Sequence, residues 1–320
     1  MTESGTSKRR GTFVGEVIAN DRICDEHYRL ALAMENFPPT RPGQFVQLQC
    51  RGLEEQLGAV EADWPQGAPP KLTQGELVGS EALLRRPFSL AGRRDEGRRV
   101  VLEIIHRTVG IGTHWLAGAG PGMRLSVLGP LGNAFAIFPD RPLAALIGGG
   151  VGIPPMLYHA EALAAAGKCV VAFNGARSAN LLPLTLAPGE AVSPDGKVTP
   201  CVEEFARVNA AAAIATDDGS LGFAGTVTEA FRNWLNAHVR DAAQLAVYSC
   251  GPEPMLRAVA DLCVSRGIVC QLALERRMAC GMGTCQSCIC KTRADNDRGW
   301  EFKLVCTDGS VFNASELVWD

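Results

Sequence analysis

Five cysteines crowd into the 27 residues from Cys280 to Cys306: Cys280, Cys285, Cys288, Cys290 and Cys306. Three of them stand as C-x4-C-x2-C in Cys280-Gly281-Met282-Gly283-Thr284-Cys285-Gln286-Ser287-Cys288. That is the plant-type spacing for a [2Fe–2S] cluster, which takes its fourth cysteine from further along the chain. Such a loop must wrap the cluster, aim thiolates inward and offer backbone N–H groups to the sulfide charge; Gly281 and Gly283 permit the positive φ values this needs. Cys306, with seventeen residues between it and Cys288, is the expected fourth ligand. The competing chemistry is a four-cysteine zinc site. Zinc ribbons, however, carry two C-x2-C knuckles, and this run carries one. Cys290 lies outside the spacing and is left out of the ligand set. The remaining seven of the 12 cysteines are scattered, mostly in apolar runs, and are expected to pack as small buried hydrophobes.

Five other segments have residues suited to binding phosphates or other cofactor groups. Gly148-Gly149-Gly150-Val151-Gly152-Ile153-Pro154-Pro155 lies between a predicted strand and a predicted helix, the place for a phosphate-cradling turn. It departs from G-x-G-x-x-G, because Ile153 and Pro155 fill both candidate third-glycine positions. A tight strand-to-helix turn with no ligand is the plain alternative. Tyr248-Ser249-Cys250-Gly251-Pro252 and Thr216-Asp217-Asp218-Gly219-Ser220 also end predicted parallel strands, where open α/β sheets bind ligands. Arg85-Arg86-Pro87-Phe88-Ser89 puts guanidinium, aromatic ring and hydroxyl within a few residues, and Arg pairs bidentately with pyrophosphate. Gly110-Ile111-Gly112-Thr113 starts a short helical stretch whose N–H groups could face phosphate.

These residues need two kinds of scaffold. Thr12 to Ile18, the alternating Tyr28, Leu30, Leu32 and Met34, Gln44 to Cys50, Val100 to Ile105 and Arg124 to Leu128 read as short strands with almost no helical pattern, predicting a small antiparallel barrel over residues 11–140. Residues 51–85, acidic at Glu54, Glu55, Glu61, Asp63, Glu76 and Glu81, interrupt it as a long surface insertion. From 141 to 274 strands and helices alternate, predicting a doubly wound parallel sheet. Residues 275–320 form the small cysteine module. At 320 residues, 47% hydrophobic and 20% charged, the chain has room for such cores. Its net charge of −3 gives no basic field for nucleic acid or anionic lipid. The longest apolar stretch, Leu143 to Tyr158, holds four Gly and two Pro and is too short and broken to span a bilayer. No apolar run follows the basic residues near the N-terminus, so a cytoplasmic location is expected.

Arg86-Pro87-Phe88-Ser89 resembles the flavin-binding R-x-[YF]-[ST] motif of the ferredoxin-reductase superfamily, and Gly148 to Pro154 with Cys250-Gly251-Pro252 resemble its nucleotide-domain motifs. Joined to Glu275-Arg276-Arg277-Met278-Ala279-Cys280-Gly281, they make residues 11 to 318 resemble the electron-transfer subunits of NAD-dependent (class 1B) dihydroorotate dehydrogenases. The resemblance implies an FAD-binding barrel, an NAD-binding domain and a [2Fe–2S] module. Arg86, Pro87, Phe88 and Ser89 would contact FAD, with Arg86 at the pyrophosphate and Ser89 near the isoalloxazine. Ile105, His106, Arg107, Gly112 and Thr113 would hold the rest of it; His106 stands where the family often has an aromatic residue. Gly148, Gly149, Gly150, Gly152, Cys250, Gly251 and Pro252 would hold the nicotinamide cofactor, and Cys280, Cys285, Cys288 and Cys306 the cluster. The family passes electrons from an FMN-containing catalytic subunit, in a heterotetramer of two of each, to NAD+ in pyrimidine biosynthesis. No catalytic residue is therefore expected in this chain. Diaphorase subunits of hydrogenases, sulfite reductases or ferredoxin:NAD(P) transhydrogenases share all these modules, and a non-enzymatic zinc-binding interaction protein is the alternative from another class. Arg177, near the end of the second strand of the nucleotide domain, would suit a 2′-phosphate; the resemblance favours NAD.

Overall fold

The computed structural model describes residues 10–53, 62–63, 66–67, 71–72, 82 and 84–319. Most of the predicted 51–85 insertion, including Glu54, Glu55, Glu61, Glu76 and Glu81, lies outside them.

The first part of the chain is antiparallel, as its period-two patterning requires. It runs β1 (Gly11–Cys24), β2 (His27–Glu35), β3 (Phe45–Leu48), β4 (Ala62–Asp63), β5 (Lys71–Leu72), β6 (Arg86–Ser89), β7 (Gly92–Glu96), β8 (Arg99–Arg107), α1 (Ile111–Ala117) and β9 (Arg124–Leu131). Strands β4 and β5 pair with each other, and the other seven make one sheet in the order β6-β3-β9-β1-β2-β8-β7. The expected barrel is thus a curled half-barrel with β6 and β7 at its ends. Leu30 and Leu32 of β2, Leu102 and Ile104 of β8, and Leu125 and Val127 of β9 fill its core.

From residue 143 the chain alternates: β10 (Leu143–Gly149), α2 (Ile153–Ala165), β11 (Cys169–Ala176), α3 (Glu203–Ala206), β12 (Ala211–Thr216), β13 (Phe223–Ala224), α4 (Val227–His238), β14 (Leu245–Cys250), α5 (Glu253–Val264) and β15 (Val269–Ala273). The strands are parallel in the order β13-β12-β11-β10-β14-β15. Both faces are covered, which is why β10 reads as an unbroken apolar run. Ala145 and Ile147 enter one core with Phe173 and Phe231, while Ala144 and Leu146 enter the other with Met156 and Leu163. The winding reverses between β10 and β14, so the crevice of an open α/β sheet falls beside Gly148 and its partner Cys250.

The C-terminal part contributes β16 (Ile289–Arg293), β17 (Trp300–Leu304), β18 (Val311–Asn313) and β19 (Leu317–Val318). Strand β16 pairs with β17 and β19. Strand β18 leaves this small sheet and pairs antiparallel with β15, covering an edge of the parallel sheet that would otherwise present unpaired backbone groups. The same segment is tied to the half-barrel side: Ser310 Oγ donates to Gly43 O at 2.6 Å, Asn133 Nδ2 donates to Val311 O at 2.8 Å, and Val311 N donates to Asn133 Oδ1 at 2.8 Å.

One buried group makes the fold acid-sensitive. His159 of α2 is fully buried, stacked on Phe135 at 4.7 Å and edge-on to Tyr248 at 4.3 Å, with neither ring nitrogen hydrogen-bonded among the described residues. Burial pushes its pKa down to about 3 from 6.5. The unfolded chain takes up this proton below about pH 6.5 and the folded chain refuses it, so stability present above that pH is lost as pH falls towards 3. At pH 5 the loss from this residue is about 2 kcal/mol. His159→Leu is expected to remove that part of the acid sensitivity, measured by chemical denaturation of the parent and variant at pH 7 and 5. Equal pH slopes in the two proteins would sink the assignment.

Candidate functional site

The cysteine loop joins β15 to β16. It turns through positive φ at Gly281 (+69°), Gly283 (+89°) and Gln286 (+55°), the first two being residues that adopt it without a steric penalty. These turns point amides inward: Met282 N and Cys285 N both donate to Cys280 Sγ at 3.4 Å. Cys285 Sγ lies 3.2 Å from Ser287 Oγ. That contact, helped by the Cys280 sulfur and nearby backbone N–H groups, lowers the Cys285 thiol to about 6, into the range where the thiolate ligand form prevails at neutral pH. Cys288 and Cys306 are buried neighbours, linked through Val305 N donating to Cys288 O at 2.9 Å. Burial first, then Cys288, pushes the Cys306 thiol up to about 12; the Gly283 N–H pulls the other way. A bound cation would reverse that penalty, because metal ligation stabilises the thiolate.

Among the described residues no three metal-binding side chains converge on a single point. The cysteines meet instead as two pairs, Cys280 with Cys285 and Cys288 with Cys306. Two thiolates for each of two irons fit this arrangement better than four around one zinc. Cys290 is on the inward side of β16, packed in the core with Val305 and Leu317, and burial raises its thiol to about 11.

The Arg86-Pro87-Phe88-Ser89 motif is strand β6, paired residue by residue with β3: Arg86 with Leu48, Pro87 with Gln47, Phe88 with Val46 and Ser89 with Phe45. The two adjacent arginines divide their tasks. Arg85 is committed to β9, donating to Ser126 O at 2.9 Å and Ser126 Oγ at 2.8 Å, while Arg86 donates to Leu84 O at 2.8 Å. The first turn of α1 packs on Arg86, for a Cβ on Gly112 would lie 3.3 Å from Arg86 Cγ and from Cys50 Sγ. The structure thus brings Arg86 and Gly112 together. Thr113 Oγ1 is occupied locally, accepting from Val109 N at 2.9 Å and Gly110 N at 3.1 Å.

On β8, Ile105 and His106 are buried and Arg107 is ion-paired with Glu26 at 2.6 Å. His106 stacks on Tyr28 (centroids 5.6 Å apart, planes 15° apart) and meets the edge of Phe88 at 6.1 Å. Burial holds its pKa down at about 4, so the ring is neutral, and neither nitrogen has a partner among the described residues. Tyr28 is a neighbour that sequence reasoning assigned only to a strand. Gln47 was likewise missed, although a lone amide in Phe45-Val46-Gln47-Leu48 was a visible signal.

At the crevice of the parallel sheet, backbone contact requires glycine at 148 and 152, and side chains crowd Gly149. A Cβ on Gly152 would fall 2.1 Å from Cys250 O and 2.5 Å from Gly251 N; one on Gly149 would fall 2.6 Å from Met255 Sδ and 3.1 Å from Pro252 Cδ. A Cβ on Gly148 would fall 2.9 Å from Ile153 Cα. Gly251, at φ +156°, closes on the Gly149 backbone. The two predicted turns are therefore one packed unit, with Gly150 (φ +54°) facing open space. Beside it, Asp218 N donates to Arg177 O at 3.1 Å, bringing the Thr216–Ser220 turn to the same edge.

Comparison with known proteins agrees with this arrangement. The family model for the iron-sulfur cluster binding domain of dihydroorotate dehydrogenase B matches residues 275–318. The dihydroorotate dehydrogenase B (NAD(+)) electron transfer subunit of Caldanaerobacter subterraneus subsp. tengcongensis is 30% identical over 303 residues, 95% of this chain and 97% of that protein. Its counterpart from Geobacillus thermodenitrificans is 36% identical over 306 residues, 94% of this chain and 96% of that one. In fold, the chain is similar to an NADH-dependent reduced ferredoxin-NADP oxidoreductase, with a TM-score of 0.69 at 24% identity over 97% of this chain and 91% of the other. Identity at this level along nearly the whole length shows that the chain belongs to the family of electron transfer subunits of dihydroorotate dehydrogenase B (NAD(+)).

Proposed function

We propose that this chain is the conduit between a dihydroorotate-oxidising catalytic subunit and NAD+, in pyrimidine biosynthesis. One observation carries the proposal: the cysteine loop and the arginine motif meet across a single strand. Gly281 packs on Gln47 of β3, and Gln47 is the cross-strand partner of Pro87 in β6. Bound flavin exchanges electrons in pairs with nicotinamide and singly with an iron–sulfur centre, which places FAD between the other two.

The chain's own residues supply position. Cys280, Cys285, Cys288 and Cys306 hold [2Fe–2S]. Arg86 would pair with the FAD pyrophosphate, with Pro87, Phe88 and Ser89 along the same strand and Ile105, His106, Arg107, Gly112 and Thr113 contributing to the same site. Gly148, Gly149, Gly150 and Gly152, with Cys250, Gly251 and Pro252, form the nicotinamide-nucleotide turn. The working division is a flavin domain over 11–140, a nucleotide domain over 141–274 and a cluster module over 275–320. The catalytic subunit would hold FMN, and the complex would contain two of each chain. A cytoplasmic location is part of the proposal; among the described residues no helix is long and apolar enough to cross a membrane.

Co-expression with the cognate catalytic subunit is expected to yield a complex that reduces NAD+ when given dihydroorotate. A complex fully loaded with FAD and iron that fails to do so would overturn the proposal.

A further inference from the structure

The residue joining the two sites is itself chemically anomalous. Strand β3 alternates: Val46 and Leu48 enter the half-barrel core, while Phe45 faces the core shared by the parallel sheet and the cysteine module. Gln47 is on the Phe45 side, fully buried, and neither Oε1 nor Nε2 has a hydrogen-bond partner among the described residues. Buried amides are ordinarily hydrogen-bonded, since leaving one unmade costs its full desolvation. This amide is aimed at the cysteine loop. A Cβ on Gly281 would sit 2.6 Å from Gln47 Cδ and Oε1 and 2.9 Å from Nε2. Gly281 follows Cys280, whose sulfur already gathers two N–H donors.

Thiolates and bridging sulfides only accept hydrogen bonds, so the amide's N–H end is the one they satisfy. We propose that Gln47 donates Nε2–H to the sulfur shell of the iron–sulfur group in the Cys280 loop and so raises its reduction potential. A donor stabilises the extra negative charge of the reduced form, and hydrogen bonds to the sulfurs are among the determinants of such potentials. The inference rests on the assignment of Cys280, Cys285, Cys288 and Cys306 as ligands. Gln47 acts through the cluster's potential, as a positioned donor.

The test uses the complex with its catalytic subunit. Gln47→Met keeps length and burial but has no donor; Gln47→Glu keeps shape and places an acceptor there. Iron and sulfide content are expected to be unchanged, and the midpoint, read by EPR during a redox titration, to move negative. The Met variant is expected to lower the reduced-to-oxidised ratio at fixed potential about tenfold, a shift of ~59 mV for one electron. The Glu variant is expected to move further, because its carboxylate repels the added electron. Full iron and sulfide with an unmoved midpoint in both variants would overturn the role of Gln47 alone. Absence of iron and sulfide from the parent would overturn the ligand assignment beneath it. A second measurement needs no substitution at Gln47: parent labelled with side-chain 15N-glutamine is expected to show a 15N hyperfine coupling on the reduced cluster. That coupling should persist in Gln286→Asn, which removes the loop's own glutamine. Its absence would overturn the proposal.

Discussion

Cys280→Ser is expected to leave the chain without a stable iron–sulfur centre and to cut dihydroorotate-dependent NAD+ reduction by more than ~100-fold, beyond the 10–100-fold that loss of an outer-shell partner costs a metal site. Two effects combine. The serine hydroxyl is shorter than the thiol and does not ionise near neutral pH, so it is a poor ligand for iron. Cys280 Sγ is also the acceptor for Met282 N and Cys285 N at 3.4 Å, so its removal releases the turn that presents Cys285. Reduction of the bound flavin by NADH, followed with an artificial electron acceptor, is expected to survive, because the glycine turn and β6 are untouched. Cys290→Ala is the control: it faces the core from β16 and should leave iron content at the parent level. Iron and sulfide analysis with the two activity assays decides the matter. Retention of iron by Cys280→Ser would refute the ligand assignment, and loss of iron from Cys290→Ala would add Cys290 to the ligands.

Gly152→Ala should do the reverse, sparing the cluster and damaging the nicotinamide side. The added methyl would lie 2.1 Å from Cys250 O and 2.3 Å from its carbonyl carbon. Those are backbone atoms of β14, locked by pairing with β10, so the turn must move instead. Overpacking of this kind costs about 1–3 kcal/mol in stability. A displacement near 1 Å in a binding turn is worth about 10²-fold in reactivity. NADH-dependent flavin reduction, by stopped flow, is expected to fall by that factor while FAD and iron content hold. Gly150→Ala meets no atom within 4 Å and strains only its φ of +54°, so its effect should be much smaller. Parent rates in Gly152→Ala would place the nicotinamide elsewhere.

The sequence was most legible where chemistry imposes spacing or burial imposes a period. The cysteine run is readable because ligand geometry constrains a short loop, and β10 because both of its faces are buried. What escaped depends on distant partners. The R-x-[YF]-[ST] spacing singles out Arg86, but the commitment of Arg85 to the scaffold shows only in its contacts with Ser126, some forty residues away. Strand β18 spans three residues, too few to carry a period, and its membership of the parallel sheet follows from the open edge of β15. Gln47 needed the fold to reveal that its amide meets Gly281.

The pairing of β18 with β15 also sets an order in time. A ribosome releases this chain from the N-terminus, so β15 emerges well before Val311 and waits with one edge bare. Cys280, Cys285, Cys288 and Cys306, the proposed iron ligands, all precede β18, so they are synthesised before the strand that closes the parallel sheet. The segment that seals the sheet therefore lies directly after the proposed iron ligands in the chain. An exposed edge is a template for wrong pairing until it is covered. In this chain the cover arrives attached to the electron-carrying module, which makes delivery of that module part of maturation of the dinucleotide fold.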